Sequence, residues 1–462
     1  MKQNDEIQTS KFDAKKENLS VGIISLGCDK NRVDTEIMIT YLKNAGYSFT
    51  DDAANSDIII INTCGFIASA REESTETIEE MIEFRRSDEY KCKRLIVTGC
   101  MPQKWSKEMV EMFPDIDIIL GIDQYPNIVE ILNASFESNE QIIQIGEANT
   151  LPYIKNRLVT TPMHYAYLKI ADGCDNYCTF CTIPYIRGRY RSREMAEVLE
   201  EANSLVQNGA VELILVAQDI SRYGMDKTGK SELIPLIRDL SKIENLKWIR
   251  LLYCYPEMMT NELFEEMMNN PKLCKYLDIP LQHISNNVLK KMNRKSTKEV
   301  IEKFIENVKS LPEFVAVRTT LMTGFPGETE EDFNELCEFV EKSKLLNVGF
   351  FAYSKEDGTV AGNMKDQIDE KTKQKRLSKL ISIQKKIAKE INKSFVGKTI
   401  DVIYEGIDFE AEMLVGRSQY QTPEVDTLVF FTSDEPAELG QIYKVKITKV
   451  IGSDLKGEVV YE

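Results

Sequence analysis

Histidine is scarce in this sequence, long apolar runs are missing, and positive charge is in deficit. Only two histidines, His164 and His283, occur in 462 residues. Zinc held by mixed Cys and His pairs therefore has little to work with. No apolar run approaches the roughly 20 residues that span a bilayer. Residues 1–18 are polar and charged, without the apolar stretch of a secretory signal, and predict a disordered tail. The net charge of −16 argues against a general nucleic-acid binder, which needs a basic face, but leaves room for a local basic patch. Together these absences predict a cytoplasmic protein. What is present is ordinary in bulk: 42% hydrophobic residues, ample for a core, over a length that suggests two to four domains. Ten cysteines in such a chain favour metal binding over disulfides.

Three of those cysteines dominate the reading. Cys174, Cys178 and Cys181 lie in the run Ala171-Asp172-Gly173-Cys174-Asp175-Asn176-Tyr177-Cys178-Thr179-Phe180-Cys181, spaced C-x3-C-x2-C. A strand-like segment, Tyr165–Ile170, leads into them, and Gly173 supplies a turn. Three soft ligands suit an iron–sulfur cluster. A structural zinc wants four ligands, and no fourth cysteine is near. With three thiolates, a 4Fe-4S cluster keeps one iron open for a small molecule. The run resembles the signature of the radical S-adenosylmethionine (SAM) enzymes. That resemblance implies that SAM chelates the open iron and is cleaved to a 5′-deoxyadenosyl radical.

Upstream, residues 20–135 alternate strands and helices, which predicts an open α/β parallel sheet. The predicted strands are Val21–Leu26, Asp57–Ile61, Arg94–Val97 and Ile116–Leu120. The predicted helices are Asp34–Asn44, with Asp34 as N-cap, and Glu72–Arg86. Cys28, Cys64 and Cys100 sit just past the ends of the first three strands, where α/β sheets bind ligands. Buried, inert cysteines are individually common, but three at strand ends point to a second three-cysteine cluster. Residues 136–163 read as a connection with Pro152 and Pro162 as breakers.

Six strand candidates follow, starting at Tyr165, Glu212, Trp248, Tyr276, Val315 and Val348, with helices between them. They predict a partial (β/α)6 barrel with its chemistry at the strand C-termini. The alternating Arg187, Arg189, Arg191 and Arg193 read either as a solvated face or as forks for a carboxylate of SAM or of an acidic substrate. The lone His283 reads as structural, and Gly324-Phe325-Pro326-Gly327-Glu328 as a tight turn. Gln367–Lys393 predicts a long amphipathic helix. Residues 395–462 are β-rich and predict a small antiparallel barrel. That segment holds 6 Lys and Arg against 13 Asp and Glu, a net of −7.

Two three-cysteine sets, an α/β domain, a radical SAM core and a small β-barrel together resemble the methylthiotransferase family. The resemblance covers about residues 20–462 and implies, after the tail at 1–18, a methylthiotransferase N-terminal domain at 19–135, a radical SAM core at 160–393 and a TRAM domain at 395–462. It implies two 4Fe-4S clusters: an auxiliary one on Cys28, Cys64 and Cys100, and a radical one on Cys174, Cys178 and Cys181. One SAM would serve as methyl donor and a second as radical source. Phe180, beside the last loop cysteine, and Glu212, on the second barrel strand, are the candidate SAM contacts. One branch of the family modifies a tRNA adenosine; the other modifies the β-carbon of an aspartate in small-subunit ribosomal protein S-twelve. Ser25–Asp34, Val216–Asp219 with Arg222–Gly224, and Val415–Ser418 with Pro423–Asp426 resemble the second branch, although that branch more often has Pro where this chain has Asp29. The acidic barrel agrees: a tRNA reader should be basic, whereas −7 suits a basic ribosomal protein. The implied partners are therefore S-twelve and a one-electron reductant such as flavodoxin or ferredoxin, with no direct tRNA binding and no membrane. A tRNA methylthiotransferase, a non-catalytic iron–sulfur redox protein and a zinc-bound interaction module are the competing readings.

Overall fold

The structure, a computed structural model, describes residues 19–138 and 140–461. The tail expected over residues 1–18 lies outside the described residues. The chain divides into two compact units between Leu158 and Val159.

In the first unit the elements run β1 (Ser20–Ser25), α1 (Asp29–Asn44), β2 (Ser48–Phe49), β3 (Ile58–Thr63), α2 (Ala68–Arg86), β4 (Arg94–Gly99), α3 (Cys100–Met112), β5 (Ile118–Leu120), α4 (Ile128–Ser135) and β6 (Ile142–Gln144). The strands form one parallel sheet in the order β2-β1-β3-β4-β5-β6. Ile58, Ile59, Ile60 and Ile61 are all fully buried, as a central strand covered on both faces requires. Each contributes roughly 1.5–3 kcal/mol by burial. Two strands were not foreseen. With two and three residues, β2 and β6 are too short to show an alternating pattern, and β6 falls in the segment expected to be a connection. Helix α1 also starts a turn earlier than expected. Cys28, not Asp34, is its N-cap, and Asp34 is fully buried inside the helix. The extra turn is held by polar contacts of Asn31, which leave no mark in an apolar periodicity.

The second unit opens with β7 (Tyr165–Lys169), β8 (Ala171–Asp172), α5 (Ile183–Arg187), β9 (Arg191–Ser192), α6 (Met195–Gln207), β10 (Glu212–Val216), α7 (Met225–Thr228), α8 (Leu233–Leu240) and β11 (Trp248–Leu251). It continues with α9 (Asn261–Asn269), β12 (Leu273–Asp278), α10 (Asn286–Lys291), α11 (Lys298–Lys309), β13 (Ala316–Thr323), α12 (Glu330–Ser343), β14 (Asn347–Ala352) and α13 (Glu370–Lys393). Strands β7, β10, β11, β12, β13 and β14 are neighbours in chain order and all parallel, with β7 and β14 as the two edges. This is the open six-fold β/α array expected of a partial barrel. Its helices cover the sheet with apolar faces, such as Leu236, Ile237 and Leu240 of α8. Helix α12 begins with a reciprocal capping box between Thr329 and Asp332. Among the described residues no helix is long and apolar enough to cross a membrane.

The C-terminal strands β15 (Thr399–Asp408), β16 (Met413–Ser418), β17 (Val429–Thr432), β18 (Ile442–Ile451) and β19 (Asp454–Val459) close into a barrel in the order β15-β16-β17-β19-β18. It is antiparallel except for the parallel pair β17–β19. Val402, Val429, Phe431, Val445 and Ile447 fill its core. Strand β16 was read as a motif rather than a strand because Gly416, Arg417 and Ser418 break the apolar alternation. Arg417 turns out to be a buried anchor. Its guanidinium donates to Glu212 at 2.8 Å and pairs with Glu405 at 2.7 Å. Glu212, the first residue of β10, also accepts from Arg250 at 2.6 Å. Tyr276 donates to Asp426 at 2.6 Å, and Arg250 to the Gln419 carbonyl at 2.8 Å. These contacts tie the small barrel to β10, β11 and β12 through residues that precede the strand C-termini.

Candidate metal centres and the strand-end site

In the first unit β1, β3 and β4 lie side by side, so the residues following them share one edge of the sheet. Cys28 caps α1 directly after β1, Cys64 follows β3, and Cys100 opens α3 after β4. Cys28 is exposed, Cys64 half-buried and Cys100 buried. Asn31 ties the three turns together. Its Nδ2 donates to the carbonyls of Leu26 and Thr63 at 3.1 and 3.0 Å, and its Oδ1 accepts from Cys100 Sγ at 3.6 Å. Ser74 holds the Cys64 turn by accepting from its backbone N–H at 3.2 Å. Gly27 has φ +92°, and a Cβ there would stand 3.2 Å from Cys64 Sγ, so the close approach of the first two turns requires glycine.

The loop cysteines are positioned by local geometry. Strands β8 and β9 pair antiparallel, Ala171 with Ser192 and Asp172 with Arg191, and pinch off the excursion between them. Gly173, at φ +82°, passes so close to the Arg189 carbonyl that no side chain fits. Cys174 N–H donates to the Gly188 carbonyl at 3.1 Å, and Cys181 N–H to the Cys178 carbonyl at 2.9 Å. From the other side, the turn after α10 holds the loop: Thr179 N–H donates to the Met292 carbonyl at 3.0 Å, and Asn293 Nδ2 to the Tyr177 carbonyl at 3.0 Å. Asp172 is the internal post. It accepts from Gly173 N–H at 2.9 Å, Gln218 at 2.8 Å, Lys169 at 3.2 Å and Arg187 at 3.1 Å. Burial alone would raise its carboxyl, but Arg187 and Lys169 outweigh that and hold it well below the usual carboxylate range.

The arginine run resolves by residue. Arg187 is buried on Asp172, and Arg193 is buried on Glu201 at 2.5 Å. Arg191 donates to the Arg187 and Arg189 carbonyls at 3.1 and 2.5 Å, which leaves only Arg189 on a solvated face. Alternation of charge could not distinguish these roles, because the carboxylates that hold Arg187 and Arg193 lie outside the run. Phe180 lies beside Cys181 and packs edge-to-face on Phe325, ring centroids 6.4 Å apart, next to the Gly324–Glu328 turn. Glu328 accepts from Thr323 at 3.0 Å and Arg376 at 3.1 Å and so locks that turn. His283 is structural: its Nδ1 accepts from Ser285 N–H at 3.0 Å, and burial pushes its pKa down to about 3. Glu212, expected beside SAM, is instead at the opposite end of β10, with both carboxylate oxygens engaged by Arg250 and Arg417. The predicted strand already began at Glu212, the end opposite the one where β/α arrays place their chemistry, so its choice as a SAM contact ran against its own position.

At the C-terminal strand ends, Gln218 and Gln282 carry buried side-chain oxygens with no partner among the described residues. Asp219, also there, accepts from Ser221 and, at 3.5 Å, from Asn176. Burial pushes its pKa up to about 6. These acceptors suit a ligand rich in N–H and O–H donors. Both glutamines lie just past strands, β10 and β12, where the β/α array was expected to place its chemistry. Asn31, Ser74 and Asn293 had no such signal beyond lying within three to ten residues of a cysteine or at a helix end.

The donor set is all sulfur. Among the described residues no three His, Cys, Asp or Glu side chains converge on a single ion. A cluster does not require that convergence, because each thiolate takes a separate iron. Burial pushes the Cys174 thiol up to about 11, and neighbouring Cys178 adds to the rise. Thiols packed this way give up their protons only to a strongly bound cation, as cluster assembly provides.

Comparison with known proteins agrees with this geometry. Residues 20–121 match the uncharacterized protein family UPF0004, residues 168–340 the radical SAM superfamily, and residues 396–460 the TRAM domain. A solved radical S-adenosylmethionine methyltransferase, TsrM from Kitasatospora setae, shares the fold. Its TM-score is 0.54 at 15% identity, covering 75% of this chain and 74% of that one. The ribosomal protein uS12 methylthiotransferase RimO of Clostridium botulinum is 46% identical over 446 residues, covering 96% of this chain and 99% of the relative. The RimO of Clostridium tetani is 44% identical over 444 residues, with the same coverage. The fold and the cysteine loop thus define a radical SAM enzyme, a class that uses a 4Fe-4S cluster and SAM. Within it, this chain belongs to the RimO methylthiotransferase family.

Proposed function

We propose that this chain transfers a methylthio group to the β-carbon of an aspartate in ribosomal protein uS12. The supporting observation is the end-to-end likeness to proteins named for that activity. Cys174, Cys178 and Cys181 are the proposed holders of a radical 4Fe-4S cluster; Cys28, Cys64 and Cys100 are those of a second cluster that carries the sulfur chemistry. When bound, the radical cluster and SAM supply a 5′-deoxyadenosyl radical able to take hydrogen from an unactivated C–H bond. The chain's own residues orient and shield. Asp172 and the Met292–Asn293 turn fix the cysteine loop from two sides. Phe180 offers an apolar wall beside it, and Gln218 and Gln282 offer acceptors to polar groups of SAM or substrate. Burial at the strand ends keeps water from a reactive radical.

A one-electron donor of the flavodoxin or ferredoxin type completes the proposed reaction, in a cytoplasmic setting. The acidic C-terminal barrel, net −7 over 395–462, favours a basic protein over tRNA as partner. The test is mass spectrometry of uS12 after anaerobic incubation with reconstituted enzyme, SAM and reductant. A methylthio mass gain on one aspartate is the expected result. Gain on tRNA adenosine instead would move this chain to the other branch of the family.

A further inference from the structure

Arg294 follows α10 and is held by its own N–H donating to the Leu289 carbonyl at 2.9 Å. Its guanidinium reaches the cysteine loop from outside the loop's own stretch. Nη1 donates to Cys178 Sγ at 3.7 Å, and Nη2 donates to the Pro280 carbonyl at 2.7 Å. The plane lies over the Tyr255 ring, 4.6 Å from its centroid. Nε is buried and has no partner among the described residues. Nor does Arg294 form a salt bridge with any described carboxylate; the nearby Glu257 accepts from Ser296 instead.

A guanidinium stays charged at every accessible pH. Taking it out of water without an anion is costly. Its direct contacts here are one carbonyl, one aromatic face and one cysteine sulfur, with the Glu257 carboxylate near but not paired to it. The anion in direct contact with it would therefore be the metal-bound thiolate of Cys178. Charge-assisted N–H donors to sulfur and nearby cations are the levers by which a protein sets an iron–sulfur potential. Reduction adds one negative charge, so a fixed cation stabilises the reduced form and raises the midpoint.

We infer that Arg294 is a tuning residue that raises the reduction potential of the cluster on Cys174, Cys178 and Cys181 and so eases the entry of the electron. The inference rests on the ligand assignment proposed above. It is tested in the full chain carrying Cys28→Ala, Cys64→Ala and Cys100→Ala, so that one cluster reports. About four irons in that chain are required by the ligand assignment; their absence defeats the assignment and leaves nothing for Arg294 to tune. With the cluster present, EPR-monitored titration without SAM compares Arg294→Met with its parent. The ratio of reduced to oxidised cluster at fixed potential should fall about tenfold, or about 59 mV for one electron. An unchanged midpoint at full iron content overturns the inference, and so limits Arg294 to SAM binding or packing. Should Arg294→Met fail to hold iron, the parent chain decides. With arginine side chains labelled with nitrogen-15, pulsed EPR of the reduced cluster should show a coupled nitrogen-15 nucleus, and its absence overturns the inference.

Discussion

Cys174, Cys178 and Cys181 come from one loop of eight residues, whereas Cys28, Cys64 and Cys100 come from three strand ends 36 residues apart. The loop set is organised by a short antiparallel pinch and a few backbone hydrogen bonds. The strand-end set is organised by the register of a whole parallel sheet and by one bridging side chain, Asn31. A site of the first kind tolerates changes elsewhere in the sheet. A site of the second kind inherits the stability of every strand that carries it.

The sharpest separation comes from removing one set entirely. Replacing Cys174, Cys178 and Cys181 with Ala should abolish 5′-deoxyadenosine formation while leaving about four irons at the strand ends, as chromatography and iron analysis will report. Conversely, Cys64→Ala alone should reduce iron to about one cluster's worth. That variant should still cleave SAM but yield no methylthio product. Methylthiolation by it would erase the distinction, because the strand-end thiols would then be merely structural.

Arg417→Met should cost about 3–5 kcal/mol in urea unfolding of the second unit, by leaving Glu212 and Glu405 short of a buried partner. Iron at the loop should be unaffected at 25 °C, since the network lies at the far end of the strands. The same network predicts a pH effect. Burial would raise Glu212, but Arg250 and Arg417 prevail and hold its pKa at about 2, below the ordinary glutamate value. A depressed folded value contributes stability that is present above the unfolded pKa. Stability of the second unit should therefore fall as pH drops from about 4.5 toward 2, and less steeply in Arg417→Met.

Asn31→Ala strips a donor from two carbonyls and should cost about 1–3 kcal/mol. It should lower iron at the strand ends and leave 5′-deoxyadenosine formation intact. The smallest effect is expected from Asn293→Gly, which keeps a left-handed turn (φ 57°) and loses the bond to Tyr177. About 0.5–1.5 kcal/mol should go, with full iron retained. Loss of the loop cluster in that variant would show that the local site is less self-sufficient than its sequence suggests.

The loop cysteines were legible because cysteine spacing and the turn glycine are both local, and a loop needs only local chemistry to curl. The buried strands were legible because an unbroken isoleucine run fits a strand covered on both faces. Even the grouping of Cys28, Cys64 and Cys100 could be reasoned from strand ends, since parallel strands share an edge. The short edge strands, the early start of α1 and strand β16 were not legible, because polar or very short segments carry no periodicity. Tertiary structure alone decided that Asn31 would bridge three turns, that Arg187 and Arg193 would be buried pins, and that Glu212 would face Arg417 rather than the cysteines. It alone brought Arg294 to Cys178 across 116 residues of chain. A polar side chain's role depends on which partner the fold delivers to it, and a partner 100 or more residues away leaves no trace in the pattern around it.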